Sequence, residues 1–405
     1  MAAKRVLTAR VTVNMILADD VYTAENQLLV PSGTVVDKEI IAALKERSIF
    51  AVRVLVEEDG KTPVLGEVEE EDAKQSADTV ASSNIAQHGE DSILDIDLPS
   101  MSSLQSEFPS EQNYYEAVRE SQEFKKFNEN FLNTVDSLKD TFNRAVMHNE
   151  EIDSAKILGE LQEVISSARN SLHILDMLQC MKGYDDVTYV HSVNVALFSN
   201  MIGKIVFPNM SEKDLELLTL AGLLHDIGKM MVPDDVLLKK DHLTISEFNI
   251  AKTHVLHGSN ILKGIHADPQ IVEVAMRHHE RCDGSGYPGG YTSNQISAFA
   301  KIVAIADTFD AMTSDRCYRK AICPFEVIHM FEREGITKYE VSYLLPFLSF
   351  VVQAYLNTEV TLTTKEVGKV VMINTEDLSK PVVKVGEVYY DLVKENTISI
   401  DRIID

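Results

Sequence analysis

Leu223–Lys229, LLHDIGK, sets an imidazole and a carboxylate side by side, with Lys229 four positions after His225. Leu218, Ala221 and His225 recur at helical spacing, so His225 closes an apolar face. A single histidine there reads as a core residue. Asp226 changes the reading, because a buried carboxylate is costly unless it is paired or bound to a metal. SAFAKIVAIADTFDAM (297–312) makes the same argument independently. Ala300, Val303, Ala304, Asp307 and Ala311 share one helical face, which aims Asp307 into an otherwise apolar stripe.

The search for partners leads outward from these two carboxylates. Eight of the twelve histidines fall between His191 and His279. The candidates are His191 in YVHSVNVA, His254 in KTHVLHG, and His278 and His279 in MRHHERCDGSGYPGG. Imidazoles with carboxylates suit Zn, Fe or Mn, and one carboxylate can bridge two ions. The four cysteines have irregular spacing, and none pairs with the cluster, which argues against a thiolate zinc site. His242, His257 and His266 are set aside, the first and last as loop residues and His257 as ambiguous.

The flanking segments divide the chain. Residues 1–56 alternate β-like runs (VTVNMILADDVY, QLLVPSG, FAVRVLV) with one helical stretch, DKEIIAALKER, and read as a small α+β regulatory or interaction module. Residues 57–97 hold thirteen acidic and two basic residues, with no aromatic between Phe50 and Phe108. Such a stretch cannot bury enough apolar surface to offset its ordering entropy, so 57–110 reads as a flexible acidic linker. From 111 to 183 the pattern is helical. Tyr115, Val118, Phe127, Phe131, Val135, Leu138, Phe142 and Val146 form the stripe of one amphipathic helix, facing either the protein's own core or a second copy in a homodimer. Helical segments continue through a core at 184–345, the last near 324–334, and residues 358–405 turn β-like.

Composition bounds the function. With 38 basic and 63 acidic residues the formal charge is −25, which excludes a general binder of nucleic-acid polymers or anionic membranes. The segment 185–325 carries thirteen of the basic and seventeen of the acidic residues, a net −4, and so repels a small dianion far less than the whole chain does. The N-terminus lacks the apolar core of a signal peptide, and no apolar run approaches the ~18 residues of a membrane span. These features read as a cytoplasmic protein.

HDIGK, then THVLHG, HHERCDGSGYP and AIADTFDAMTSDRCYRKA, resembles the HD-GYP family, the phosphodiesterase branch of the HD metal-dependent phosphohydrolases. The resemblance covers about residues 185–335. The N-terminal module also resembles a small domain often found ahead of HD-GYP domains. The family implies an all-α catalytic core within a multidomain chain, and hydrolysis of cyclic di-GMP to pGpG or GMP. Carried over position by position, His191, His225, Asp226, His254, His278, His279 and Asp307 match metal ligands, with Asp226 as the bridge. Lys229, Tyr287, Arg316 and Arg319 match substrate-contacting positions. The expected cofactor is two divalent ions, Fe or Mn. Two ions ~3.5–4 Å apart can activate a bridging water and stabilise both attacking and leaving oxygens.

Two positions depart from the family pattern. Val187 stands where three-metal members carry Glu, with Asp185 and Asp186 at the wrong helical offset, hence two ions. Cys282 replaces a large apolar residue and is read as packing. The competing readings are a weakly catalytic cyclic dinucleotide receptor signalling through its N-terminal module, a purely structural helical protein, and, within the enzyme class, a phosphodiesterase for cyclic GMP–AMP. Arg316 and Arg319 also read as surface ion-pair residues near Asp310 and Asp315. Diguanylate cyclases or effector proteins are the expected partners of the N-terminal module.

Overall fold

The computed structural model describes residues 2–7, 11–22, 28–46, 51–56, 114–181, 187–239, 241–314, 321–395 and 397–404. The expected linker at 57–110 lies outside them, as do Asp185, Asp186, Arg316 and Arg319. The chain divides into two units between Pro99 and Ser100.

In the first unit β1 (Ala2–Leu7) pairs antiparallel with β4 (Ala51–Val56), and β2 (Val21–Tyr22) pairs with β3 (Leu28–Val30). Helix α1 (Lys38–Glu46) supplies Leu44 to a core that includes Leu17, Val36, Val52 and Val54. VTVNM, expected as part of a strand, is a turn instead. Asn14 has a positive φ of 72°, and Ile16 and Leu17 make only isolated bridges.

The second unit is helical with a terminal sheet. The stripe expected as one helix is two, α2 (Tyr114–Glu120) and α3 (Gln122–His148). The break is Ser121, whose hydroxyl accepts from the Phe124 N–H at 3.0 Å and donates to the Val118 carbonyl at 2.7 Å. A side chain that satisfies both helix ends favours a cap over continuation. After α4 (Ser154–Ser166) and α5 (Ser171–Cys180) come the elements that carry the site. These are α6 (Val187–Val206), α7 (Glu212–Leu224), α8 (Ile245–Lys252), α9 (His254–Gly264), α10 (Pro269–Arg277) and α11 (Ala298–Thr313). Helix α6 packs against both α7 and α11, while α10 packs against α7, α9 and α11.

Beyond α12 (Pro324–Met330) lies α13 (Val341–Gln353), a helix the sequence reading did not identify. In VSYLLPFLSFVVQ the buried Val341, Leu344, Phe347, Leu348, Val351 and Val352 lie opposite a narrow polar stripe of Ser342, Ser349 and Gln353, and Pro346 in its middle reads as a helix breaker. Its place explains the composition. Phe347 meets Phe309 of α11 and Phe198 of α6 with ring centroids 5.2 and 6.2 Å apart, and Phe198 and Phe309 are 5.3 Å apart. This aromatic triad fixes the two helices that bear His191 and Asp307. Truncating one such ring costs about 3–5 kcal/mol. The β-like tail forms a five-stranded antiparallel sheet in the order β8 (Val388–Asp391), β7 (Val382–Val385), β6 (Val367–Met372), β5 (Glu359–Leu362), β9 (Ile400–Ile403). Ile403 of β9 packs onto Tyr115, Val118 and Cys180. The architecture is therefore a helical core with a small N-terminal α+β region and a C-terminal antiparallel sheet.

Candidate metal centre

Helix α7 ends at Leu224, and the chain passes through His225 and Asp226 into a 3₁₀ turn, Ile227–Met231. With three residues per turn, Asp226 and Lys229 nearly eclipse, and their carboxylate and ammonium form an ion pair. The turn lies directly on α9. A Cβ on Gly228 would stand 2.0 Å from the His254 carbonyl oxygen and 2.3 Å from the Gly258 nitrogen, so only glycine permits the approach. HDIGK and THVLHG are thus two faces of one contact.

Asp226 sits at the centre, 1% exposed. Its Oδ1 faces Nε2 of His254 at 3.4 Å and of His278 at 3.7 Å; its Oδ2 faces Nε2 of His225 at 3.2 Å and of His191 at 3.5 Å. Asp307 flanks both sides, with Oδ1 3.1 Å from His191 Nε2 and Oδ2 3.8 Å from His279 Nδ1. Two donor groups result, Asp226 with His254, His278 and His279, and Asp226 with His191 and His225; in each, the ligand atoms lie within 4.8 Å of one another.

The electrostatics favour the protonation states that a cation needs. Burial dominates at Asp226 and by itself raises a carboxyl, yet His225 and Lys229 hold the group well below its usual range. At Asp307 burial is again largest, yet its contacts with His191 and His279 hold the carboxyl well below its usual range. Desolvation pushes His254 down, His278 well down and His279 to about 3, leaving neutral imidazoles with free lone pairs. His225 goes the other way: burial lowers it, but Asp226 raises it further. Oδ2 of Asp226 meets the Lys229 ammonium, while Nε2 of His225 and Oδ1 of Asp226 are buried without a protein hydrogen bond. Buried polar atoms are rarely left so unless another group completes them. Together with the all-imidazole and carboxylate donor set, these orphaned atoms fit divalent cations.

The segment carrying His278 and His279 runs straight into the GYP loop. Glu280, 2% exposed, accepts the N–H of Gly289 at 2.6 Å and of Tyr291 at 2.9 Å. Gly286 closes onto the segment, since a Cβ there would meet Glu280 Cα and His279 O at 2.5 Å. The loop holds the Tyr287 ring stacked on His279, centroids 4.7 Å apart at 26°, with Lys252 Nζ 5.5 Å over its face. Burial raises the Tyr287 phenol above its ordinary value, which keeps it neutral. Cys282 belongs to neither donor group, and burial pushes its thiol up.

Of the residues singled out in the sequence, His191, His225, Asp226, His254, His278, His279 and Asp307 converge, with Lys229 and Tyr287 at the rim. Arg316 and Arg319 lie outside the described residues. Three residues escaped the sequence reading. Glu280 directly follows the ligand pair. Asp310, three positions after Asp307 and named only as a surface ion-pair partner, is 1% exposed and bound to His191. Asn194, three positions after His191, donates to Asp310 at 2.8 Å. The i,i+3 spacing was the available signal in both helices.

A family profile described as HD domain matches residues 191–342. The cyclic di-GMP phosphodiesterase PA4108 of Pseudomonas aeruginosa is 39% identical over 173 residues, 42% of this chain and 41% of that protein. The cyclic di-GMP phosphodiesterase of Thermotoga maritima is 41% identical over 150 residues, 36% and 40% of the two chains. The 3′3′-cGAMP-specific phosphodiesterase 1 of Vibrio cholerae is 32% identical over 174 residues, 43% and 38%. The match spans about two fifths of each relative's length. Profile, relatives and the ordered HDIGK, HHE and GYP motifs all fall on the helical core, which is similar to an HD domain over residues 191–342.

Proposed function

We propose that this chain is a metal-dependent phosphodiesterase that hydrolyses cyclic di-GMP to pGpG or GMP. The observation that carries the reading is Asp226, whose two oxygens face two separate groups of imidazoles. A carboxylate so placed suits a bridge between two ions, Fe or Mn by donor type. In this reading His191 and His225 hold one ion, His254, His278 and His279 the other, and Asp307 completes the set. When bound, such ions activate water and neutralise charge on the phosphate.

The chain's own groups account for the remaining work. Lys229, a quarter exposed and drawn toward Asp226, offers its ammonium to a non-bridging phosphate oxygen. Arg316 and Arg319, which match substrate-contacting positions of the family, are assigned to the same charge. Tyr287 presents a ring face beside the phosphate, held there by Glu280. Residues 184–345 would form the catalytic domain, 57–110 a linker, and 1–56 a module for cyclase or effector partners. The stripe expected to face either the core or a second copy is buried in the chain's own core, with Phe127, Phe131, Leu138 and Phe142 fully covered, and so leaves no case for a homodimer through 111–183.

The names of two relatives support cyclic di-GMP, and that of the third supports the hybrid cyclic GMP–AMP substrate. The test is anaerobic loading with Fe²⁺ or Mn²⁺, metal analysis, and product identification from both dinucleotides. We expect about two ions per chain, with linear products from cyclic di-GMP. Asp226→Ala should lose metal and turnover while remaining helical. Full turnover by a metal-free, folded Asp226→Ala protein would overturn the proposal.

A further inference from the structure

Four imidazoles of the cluster have a short contact at Nδ1, the nitrogen turned away from the centre. In three the partner is a backbone carbonyl: Gly222 for His225 at 2.7 Å, Ala251 for His254 at 2.8 Å, and Val274 for His278 at 3.1 Å. His191 differs. Its Nδ1 lies 2.6 Å from Oδ2 of Asp310. A carboxylate accepts only, so Nδ1 donates to Asp310, and in the neutral imidazole that a cation requires, Nε2 is the lone-pair nitrogen, facing Asp226 and Asp307. Asp310 is itself fixed, accepting at Oδ1 from Asn194 Nδ2 at 2.8 Å and from Ser314 Oγ at 2.9 Å. Helix α6 supplies His191 and Asn194 one turn apart, and α11 supplies Asp307 and Asp310 one turn apart, with Ser314 capping its C-terminus. Each helix contributes both a group aimed at the centre and a group that steadies it.

An imidazole whose outer N–H rests on a full negative charge is a stronger donor than one resting on a carbonyl. We infer that Asp310 is a positioning residue that makes the two halves of the centre unequal, so that the His191/His225 half takes a cation at lower concentration than the His254/His278/His279 half. This rests on reading the cluster as a two-cation site, and says nothing about which dinucleotide is cleaved.

The full chain, stripped by chelation, would be titrated anaerobically with Mn²⁺ and followed by calorimetry and by electron paramagnetic resonance, which separates isolated from coupled ions. Two steps are expected. Asp310→Asn keeps the size and an accepting oxygen but removes the charge, and should weaken the tight step 10- to 100-fold while leaving the weak one within about twofold. His254→Ala should do the reverse. Asn194→Ala leaves the Asp310 charge but loosens its hold, and should weaken the tight step by a smaller factor; it also serves if Asp310→Asn misfolds. Equal weakening of both steps by Asp310→Asn, no change in either, or loss of the tight step in His254→Ala would overturn the inference. A chain that binds no Mn²⁺ would remove the metal reading with it. Two-step binding without hydrolysis of any cyclic dinucleotide would refute the substrate reading alone.

Discussion

Gly228→Ala tests the packing of the site without touching a ligand. The added Cβ would stand 2.0 Å from the His254 carbonyl oxygen, where ordinary contact begins at 3.4 Å, so turn and helix must part by about 3.4 − 2.0 = 1.4 Å. Backbone on both sides leaves no flexible side chain to absorb the strain, which puts the cost at the upper end of overpacking, about 3 kcal/mol. His254 opens α9 immediately beside that contact, and its Nε2 lies 3.4 Å from Asp226. Metal–ligand distances tolerate only about 0.2 Å, so an ångström-scale displacement should empty the His254 side and cut turnover at least 100-fold. Gly258→Ala is the internal comparison. Its Cβ would approach the Gly228 nitrogen at 3.2 Å, a shortfall of about 0.2 Å, and should cost little. The assay is Mn²⁺ content after dialysis, thermal unfolding and kcat for both variants. Gly228→Ala protein with full metal, unchanged Tm and unchanged turnover would refute the claim that this contact sets the site.

Three further outcomes are expected. Glu280→Ala leaves the Gly289 and Tyr291 N–H groups without their carboxylate, and should raise KM and cost about 2–4 kcal/mol of stability while metal content stays full; loss of metal instead would place Glu280 in the centre itself. Burial, reinforced by Asp377 against the Leu378 N–H, pushes Glu332 up from 4.5 to about 7, so the folded chain keeps a proton the unfolded chain has released. That contribution is whole below pH 4.5 and lost as pH rises through 7, on the order of 3 kcal/mol by pH 8. Glu332→Gln should therefore flatten the fall in stability between pH 5 and 8 in denaturant titrations, and an unchanged slope would contradict the assignment. Arg316→Ala should keep full metal and lower kcat/KM roughly ten- to hundredfold, with a larger loss on adding Arg319→Ala; unchanged kinetics in the double variant would remove both from the site.

Much of this was legible because ligands on amphipathic helices announce themselves. Asp307 interrupts an apolar stripe, and His225 ends one; each is an expensive residue in a position where composition alone asks for Leu or Ala. The terminal sheet was legible from alternation in VTLTTKEVGKVVMIN. What stayed hidden had no local signature. Helix α13 carries Pro346 at its centre and only a narrow polar stripe, and its role appears only when Phe347 is seen against Phe198 and Phe309. Ser121 looks like any polar residue in a long stripe until its hydroxyl caps both helix ends. Asp310 was taken for a surface charge because its partner, His191, lies 119 positions away in sequence.

His278, His279 and Glu280 are consecutive, yet two face the cluster and the third anchors the loop that carries Tyr287. A cation that pins the first two also fixes the starting point of the third, so order in the loop and occupancy of the centre share one degree of freedom. Thermodynamic reciprocity then applies: if the ions sharpen affinity for the dinucleotide by some factor, the dinucleotide must tighten retention of the ions by that same factor. A non-hydrolysable analogue should accordingly slow the escape of Mn²⁺ into a chelator, which makes substrate scarcity and metal loss reinforcing conditions for this chain.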